Sequence, residues 1–218
     1  MPKFLDLANT HKGFTLIEMA IVLIVIGFLL SSLIMPLSAQ LDSRNYGETR
    51  KELEEMKEAL LGFALSNAAA DARPYLPCPD TDGDGVENRI GNLCASQAGN
   101  LPALSLGLQN FDAWNNTYTY QVAPAFSNNA TGFTLTTVGN INVLNTVAGA
   151  AIVSNVPALI LSRGKNGGVA ATSADEIENT DSDRIFVSRE FTPAYDDVVV
   201  WVSPTILVNR MVSAGRLP

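Results

Sequence analysis

The stretch GFTLIE at 13–18, running on into MAIVLIVIGFLLSSLIM at 19–35, decides how the rest of the chain is read. Between 19 and 41 no side chain is charged. The apolar residues cover every face of a helix rather than one stripe, which is the pattern of a segment that sits in lipid. Ahead of it stand Lys3 and Lys12 against one acid, Asp6, so the short leader is weakly positive and is expected to stay in the cytoplasm while the body crosses. A cleaved secretory signal predicts a shorter apolar core, about 7 to 15 residues, with a small-residue cleavage site behind it. This run is longer, and Leu37-Ser38-Ala39 after Pro36 makes a poor site of that kind. One acid interrupts the pattern, Glu18. At membrane depth a carboxylate costs roughly 2.5 to 3.5 kcal/mol on insertion scales unless a cation meets it. A partner is therefore expected for Glu18.

Composition removes several classes of function. The 218 residues hold 14 Lys and Arg against 22 Asp and Glu, for a net charge of −8. A nucleic-acid backbone would meet repulsion rather than release counterions, so no nucleic-acid partner is expected. The single histidine, His11, stands in the leader, which leaves no material for a His-dependent triad, a histidine zinc site or an imidazole proton shuttle. No serine lies in a GxSxG setting, and no spacing marks a catalytic pair of carboxylates. The chain is expected not to be an enzyme.

Gly13-Phe14-Thr15-Leu16-Ile17-Glu18, with the apolar run behind it, resembles the cleavage and methylation motif of type IV prepilins and type II secretion pseudopilins at all six positions. The resemblance implies that a prepilin peptidase and methyltransferase cuts after Gly13 and N-methylates the new N-terminus at Phe14. It also implies that the apolar helix is kept. Glycine at the cut lets an extended backbone enter a protease cleft with no side chain in the way. The carboxylate of Glu18 is then expected to pair with the Phe14 amine of a neighbouring subunit, the condition under which buried charges are tolerated. Other pilin or pseudopilin subunits and an inner-membrane assembly platform are the implied partners. The implied location is the inner membrane, single-pass with the head in the periplasm, followed by a periplasmic or extracellular filament. Pro36 falls one residue later than the family's helix proline.

Beyond Pro36 the chemistry turns amphipathic, with Leu53, Met56, Leu60 and Phe63 at helical spacing among charged residues. One helix over 14–72, about 90 Å at 1.5 Å per residue, is expected. It comprises a transmembrane or filament-core part at 14–41 and an amphipathic stalk at 42–72, after the cleaved leader at 1–13. Pro74, Pro77 and Pro79 end it and open the head at 73–218. The head begins with CPDTDGDGVENRIGNLC at 78–94. A structural disulfide between Cys78 and Cys94 is expected rather than a redox pair, because the spacing is not CxxC and the compartment oxidises. Asp80, Asp82 and Asp84 alternate with Gly83 and Gly85 as in the first half of an EF-hand loop, which suits calcium. The second half is missing, since Gly91 stands where the bidentate glutamate belongs; Glu87 or Asn88 would complete the shell. The alternative is an acidic solvated turn.

Further acids at Asp175, Glu176, Glu178, Asp181 and Asp183, with Asp196 and Asp197 beyond, read as a solvated loop before they read as a second calcium site. Short β-rich runs at 117–123, 133–138, 158–162, 184–188 and 197–202 predict an antiparallel sheet. Ser203-Pro204 then opens a terminal helix with Ile206, Leu207, Met211 and Val212 as its buried stripe. The fold class is α+β and pilin-like, with a long N-terminal helix packed on an antiparallel sheet. The expected function is a structural subunit of a pilus-like filament, a minor or specialised pilin. A type II secretion pseudopilin is the alternative within the class. A membrane-anchored calcium-dependent adhesin is the alternative outside it.

Overall fold

A computed structural model describes residues 13–169, 171, 173–181 and 183–218, with the side chains of 32–39 outside the description. The leader residues Lys3, Asp6, His11 and Lys12 and the side chain of Pro36 lie outside the described residues. Contacts divide the chain into two units, Met1–Ser43 and Arg44–Pro218.

The first unit contributes the start of helix α1 (Leu16–Ser66), whose assignment continues through Pro36 and Gly47. Every side chain described from 13 to 31 is exposed, including Leu16, Leu23 and Phe28. Among the described residues no helix is long and apolar enough to cross a membrane. The expected span at 14–41 takes in 32–39, whose side chains lie outside the description.

In the second unit α1 buries Thr49, Leu53, Met56, Leu60 and Ala64, one stripe at intervals of three and four residues. The helix stops at Ser66, short of the expected 72. Asn67 turns back on it, donating both its backbone and its side-chain N–H to the Phe63 carbonyl at 2.9 Å, and Ala72 takes a φ of +67° before Pro74. After a small hairpin of β1 (Arg89–Ile90) and β2 (Leu93–Cys94), and with the short helices α2 (Ala103–Leu106) and α3 (Pro124–Ser127) between strands, the buried stripe packs on a sheet of β3 (Ala98–Asn100), β4 (Thr119–Val122), β7 (Ala158–Ser162) and β9 (Val198–Trp201), antiparallel in the order β3-β4-β7-β9. Each fully buried Leu or Met contributes about 1.5 to 3 kcal/mol by leaving water.

A second sheet covers the other face. It joins β6 (Ala151–Val156), β5 (Ile141–Leu144) and β8 (Ile185–Val187) in the order β6-β5-β8, with β5 antiparallel to β6 and parallel to β8. The architecture is thus α+β, but not with one purely antiparallel sheet. The two-residue side-chain period of a strand sorts the central sheet between the two layers. Ala158 and Ile160 of β7 face the α1 core, as do Val198 and Val200 of β9; Leu159, Leu161 and Val199 join Ile141, Val143 and Phe186 of the second sheet. Burial on both faces explains why ALIL and VVVW are continuous apolar runs. The expected strand at 133–138 is not one: Phe133 plugs the core against Phe126, ring centroids 5.0 Å apart, and 134–137 closes a turn through threonine hydroxyls. β5 and β6 replace it as the strands of that region.

Helix α5 (Pro204–Ser213) buries Leu207 and Met211 but leaves Ile206 and Val212 about half exposed, so only half of the expected stripe is inward. It ends in a Schellman arrangement: the Arg216 N–H reaches the Met211 carbonyl at 2.8 Å and the Gly215 N–H the Val212 carbonyl at 3.0 Å, with Gly215 at φ +68°. Arg216 also caps the Asn67 carbonyl at the end of α1, tying the C-terminus to the stalk.

Cys78 and Cys94 form a disulfide across a sequence separation of 16. A loop of that size stabilises by about 3 kcal/mol in the chain-entropy model. Cys78→Ala/Cys94→Ala is accordingly expected to lower the melting temperature by about 6 to 12 °C, at 2 to 4 °C per kcal/mol for a chain of this size. A circular-dichroism melt measures it, and an unchanged midpoint would mean the loop is held without the bridge.

Candidate functional site

The N-terminal motif has a defined local geometry. Gly13, Phe14 and Thr15 precede α1 in non-helical backbone. Thr15 Oγ1 accepts the Glu18 N–H at 3.3 Å, while Glu18 Oε2 accepts the Thr15 N–H at 3.3 Å and lies 3.4 Å from the Thr15 hydroxyl. This reciprocal pair is a capping box, which satisfies two of the helix's orphan donors and fixes its first turn at Leu16. The bond between Gly13 and Phe14 therefore lies outside the helix, and both residues are exposed.

The acidic loop between the cysteines is organised chiefly by its own backbone. Asp80 is buried; its Oδ1 accepts the N–H of Asp82 at 3.1 Å and of Gly83 at 2.7 Å, and its Oδ2 that of Gly85 at 2.9 Å. Burial pushes this carboxyl up, but the N–H groups of Gly83, Gly85 and Asp82 outweigh it and hold the acid below its ordinary value. Gly83 at φ +85° and Gly85 at φ +81° supply the left-handed turns that bring those donors round. One oxygen each from Asp80, Asp82 and Asp84 lies within 4.8 Å of the others, so the three expected aspartates do converge. Glu87, expected as a further ligand, does not join them. Its Oε2 accepts the Cys78 N–H at 2.8 Å, and Arg89 grips both its oxygens at 3.0 and 3.1 Å. Asn88 closes the loop instead, accepting the Thr81 N–H at 2.6 Å and donating to Asp82 at 3.3 Å.

A second convergence is more deeply buried. Helix α4 (Ala174–Glu178), capped by Ser173, places Glu176 opposite Asp196 and Asp197 at the entry to β9, and one oxygen from each lies within 4.8 Å of the others. All three are at least nine-tenths buried. Glu176 Oε1 accepts from Asn166 Nδ2 at 3.1 Å and from the Asp196 N–H at 3.2 Å, Asp196 Oδ2 from the Asn166 N–H at 3.1 Å, and Asp197 Oδ2 from Asn179 Nδ2 at 2.7 Å. Glu176 Oε2 and Asp196 Oδ1 are buried and meet no hydrogen-bond donor among the described residues. Gly164 makes the close approach possible: at φ +59°, a Cβ there would stand 2.3 Å from the Asp196 carbonyl oxygen.

Three carboxylates so placed repel one another. Burial above all, then Glu176 and Asp196, push Asp197 up to about 7 despite the hydrogen bond from Asn179 and the charge of Arg163. Burial and Glu176 likewise raise Asp196. The group borders a cavity of about 270 Å³ lined by Arg163, Asn166, Val169, Glu176, Thr180 and Asp197. Orphaned buried oxygens in an all-oxygen donor set fit a hard divalent cation such as calcium. The Asp80 loop, by contrast, already meets its buried carboxylate with backbone donors. A third group, Glu178, Asp181 and Asp183, is more exposed, and Asp181 and Asp183 order their own turn, as a solvated loop would.

Sequence reading named Glu176, Asp196 and Asp197 only within a diffuse acidic set. The usable signal was the pair Asp196-Asp197 set directly before the apolar VVVW, since acids beside a doubly buried strand cannot all reach water.

A family model described as the prokaryotic N-terminal methylation motif matches residues 8–34. Neither the curated proteins nor the solved structures give a match to the chain. The chain thus carries, over 8–34, the N-terminal methylation motif by which it resembles type IV pilins and secretion pseudopilins.

Proposed function

We propose that the chain is a structural subunit of a type IV pilus-like filament, of the minor or specialised kind, and acts by assembly rather than catalysis. The observation that carries this reading is the methylation motif at 8–34, with its Gly13–Phe14 bond in exposed, non-helical backbone ahead of a capped helix. Water cleaves that bond in the active site of a prepilin peptidase, leaving the leader with a carboxylate at Gly13 and the subunit with an amine at Phe14. The amine then takes one methyl group from a donor held by the methyltransferase.

The retained apolar start of α1 anchors the subunit in the inner membrane with its head in the periplasm, and later packs with other subunits in the filament core. Contacts that repeat head to tail build an open helix rather than a closed ring. The Phe14 amine of one subunit and the Glu18 carboxylate of the next set the axial register. Calcium is held in the head by Glu176, Asp196 and Asp197, which it stabilises, with the Asp80 loop as the competing location.

Intact-mass analysis of the chain from native membranes tests the processing. The expected species begins at Phe14, one methyl group heavier than the bare polypeptide. A chain that still carries its leader, or one that begins near Gln40 with the apolar run discarded, would overturn the proposal.

A further inference from the structure

The connection from β8 to β9, residues 188–197, is an arm with a bare middle and two anchored ends. Arg189, Glu190, Phe191, Pro193 and Ala194 are exposed, whereas Tyr195, Asp196 and Asp197 are buried. Together with α1 and β9 the arm borders a cleft of about 520 Å³. Phe191 reaches α1 at Tyr46, which also lines the cleft, with ring centroids 5.6 Å apart. One tilted ring pair at the surface holds weakly, and a segment with few buried contacts opens more readily than the strands it joins. What keeps the arm on the stalk therefore comes from its ends.

Both ends lead to the buried acids. At the first, Ser188 donates its N–H to the Leu144 carbonyl at 2.9 Å, and Arg189 pairs with Asp175, the neighbour of Glu176 in the first turn of α4. At the second, Asp196 and Asp197 converge with Glu176. The arm is also folded on itself: the Arg189 guanidinium lies 5.3 Å from the centre of the Tyr195 ring, and Thr192 and Tyr195 exchange main-chain hydrogen bonds at 2.9 and 3.0 Å. Tyr195 is held independently of the acids, its hydroxyl donating to the Val187 carbonyl at 2.6 Å, and so serves as a pivot.

We infer that a divalent cation held by Glu176, Asp196 and Asp197 closes the 188–197 arm onto the stalk, and that its removal frees Phe191 from Tyr46. This rests on the calcium reading of the head. Three buried carboxylates, two of them with orphaned oxygens, push apart unless a positive charge answers them. With that charge in place, α4 and the entry to β9 are drawn together. Arg189, tied to α4 through Asp175, is carried with them, and the two ends of the arm share one footing. Without it, Glu176 and the aspartate pair separate and the arm swings on Tyr195. Asp197 is the direct link, since it lines both the smaller cavity beside the acids and the cleft beside α1. A face of the stalk at Tyr46 and Arg50 is thereby covered or bared according to the ion.

Hydrogen exchange of the full-length protein in detergent, with calcium chloride or with a chelator, tests this beside a thermal melt of the same samples. Calcium is expected to slow exchange at 189–194 at least about tenfold, and Glu176→Gln should remove the slowing. Phe191→Ala should lower the melting temperature by about 2 to 6 °C with calcium, the loss of one ring pair at this chain size, and by less than about 1 °C without it. Adding Tyr46→Ala to Phe191→Ala should then cost no more than Tyr46→Ala loses without calcium, because the partner ring is already gone. A melting temperature raised by calcium with unchanged exchange at 189–194 would overturn the inference and leave the ion in the head. No rise in the melting temperature would remove the ion, and the inference with it. Slowing that survives Glu176→Gln, or an equal effect of Phe191→Ala in both conditions, would also overturn it.

Discussion

Glu18→Gln is expected to abolish filaments while cleaved subunit still accumulates in the membrane. The substitution keeps an acceptor for the Thr15 N–H, so the capping box survives, but it removes the charge that answers the Phe14 amine. An ion left without its partner in a low-dielectric core costs about 3 to 5 kcal/mol, which at 1.4 kcal/mol per decade weakens each subunit addition by roughly 10² to 10³-fold or more. Thr15→Ala does the reverse. It breaks the box, at about 1 kcal/mol of helix-start stability, and leaves the charge pair intact, so filaments should persist at reduced yield. Immunoblots of sheared filament against membrane fractions read both variants. Wild-type filament yield from Glu18→Gln would show that the carboxylate acts only as a helix cap, and the register argument would fall with it.

The N-terminal hexad and apolar run were legible because their chemistry is local: each constraint, from a glycine ahead of the helix to a carboxylate in its first turn, lies within a few residues. The stalk stripe at Leu53, Met56 and Leu60 was legible for the same reason, through period alone, and the strand at 158–162 is the observed β7. What could not be read was set by distant partners. β5 and β6 lie in an Asn- and Thr-rich stretch with weak alternation, and they form strands because Leu159, Leu161 and Val199 offer a second apolar face to cover. Phe133 looked like the start of a strand and instead fills a gap beside Phe126. Glu87 looked like a calcium ligand because of its place in a loop formula, whereas Arg89, two residues on, claims it. The buried acids fit the same account: Glu176 meets Asp196 and Asp197 only because Gly164 and Asn166 bring the β7 turn against the entry to β9.

Calcium added to metal-free, full-length protein in detergent at pH 7.5 is expected to raise its melting temperature. At a hundredfold excess over the dissociation constant the gain is about 2.7 kcal/mol, or about 5 to 11 °C at this chain size. Glu176→Gln should erase the rise and Asp82→Ala should leave it intact; the opposite pattern would move the ion to the Asp80 loop, and no rise in the parent would remove calcium from the account. The pH dependence has a definite sign. The carboxyl of Asp197 is held at about 7 in the folded chain against an ordinary 3.8. Between those values the folded state keeps a proton that the unfolded state has released, so metal-free stability falls as pH rises through this window. Asp80 works in the opposite sense, but its acid lies below the ordinary 3.8 and is fully ionised throughout the comparison. Metal-free protein should therefore melt higher at pH 5 than at pH 7.5. Calcium should close or reverse that gap, because the cation answers the same charge that the proton neutralises at lower pH. If Glu176→Gln abolished the calcium response yet left the metal-free pH slope unchanged, the three acids would not be acting as one coupled group.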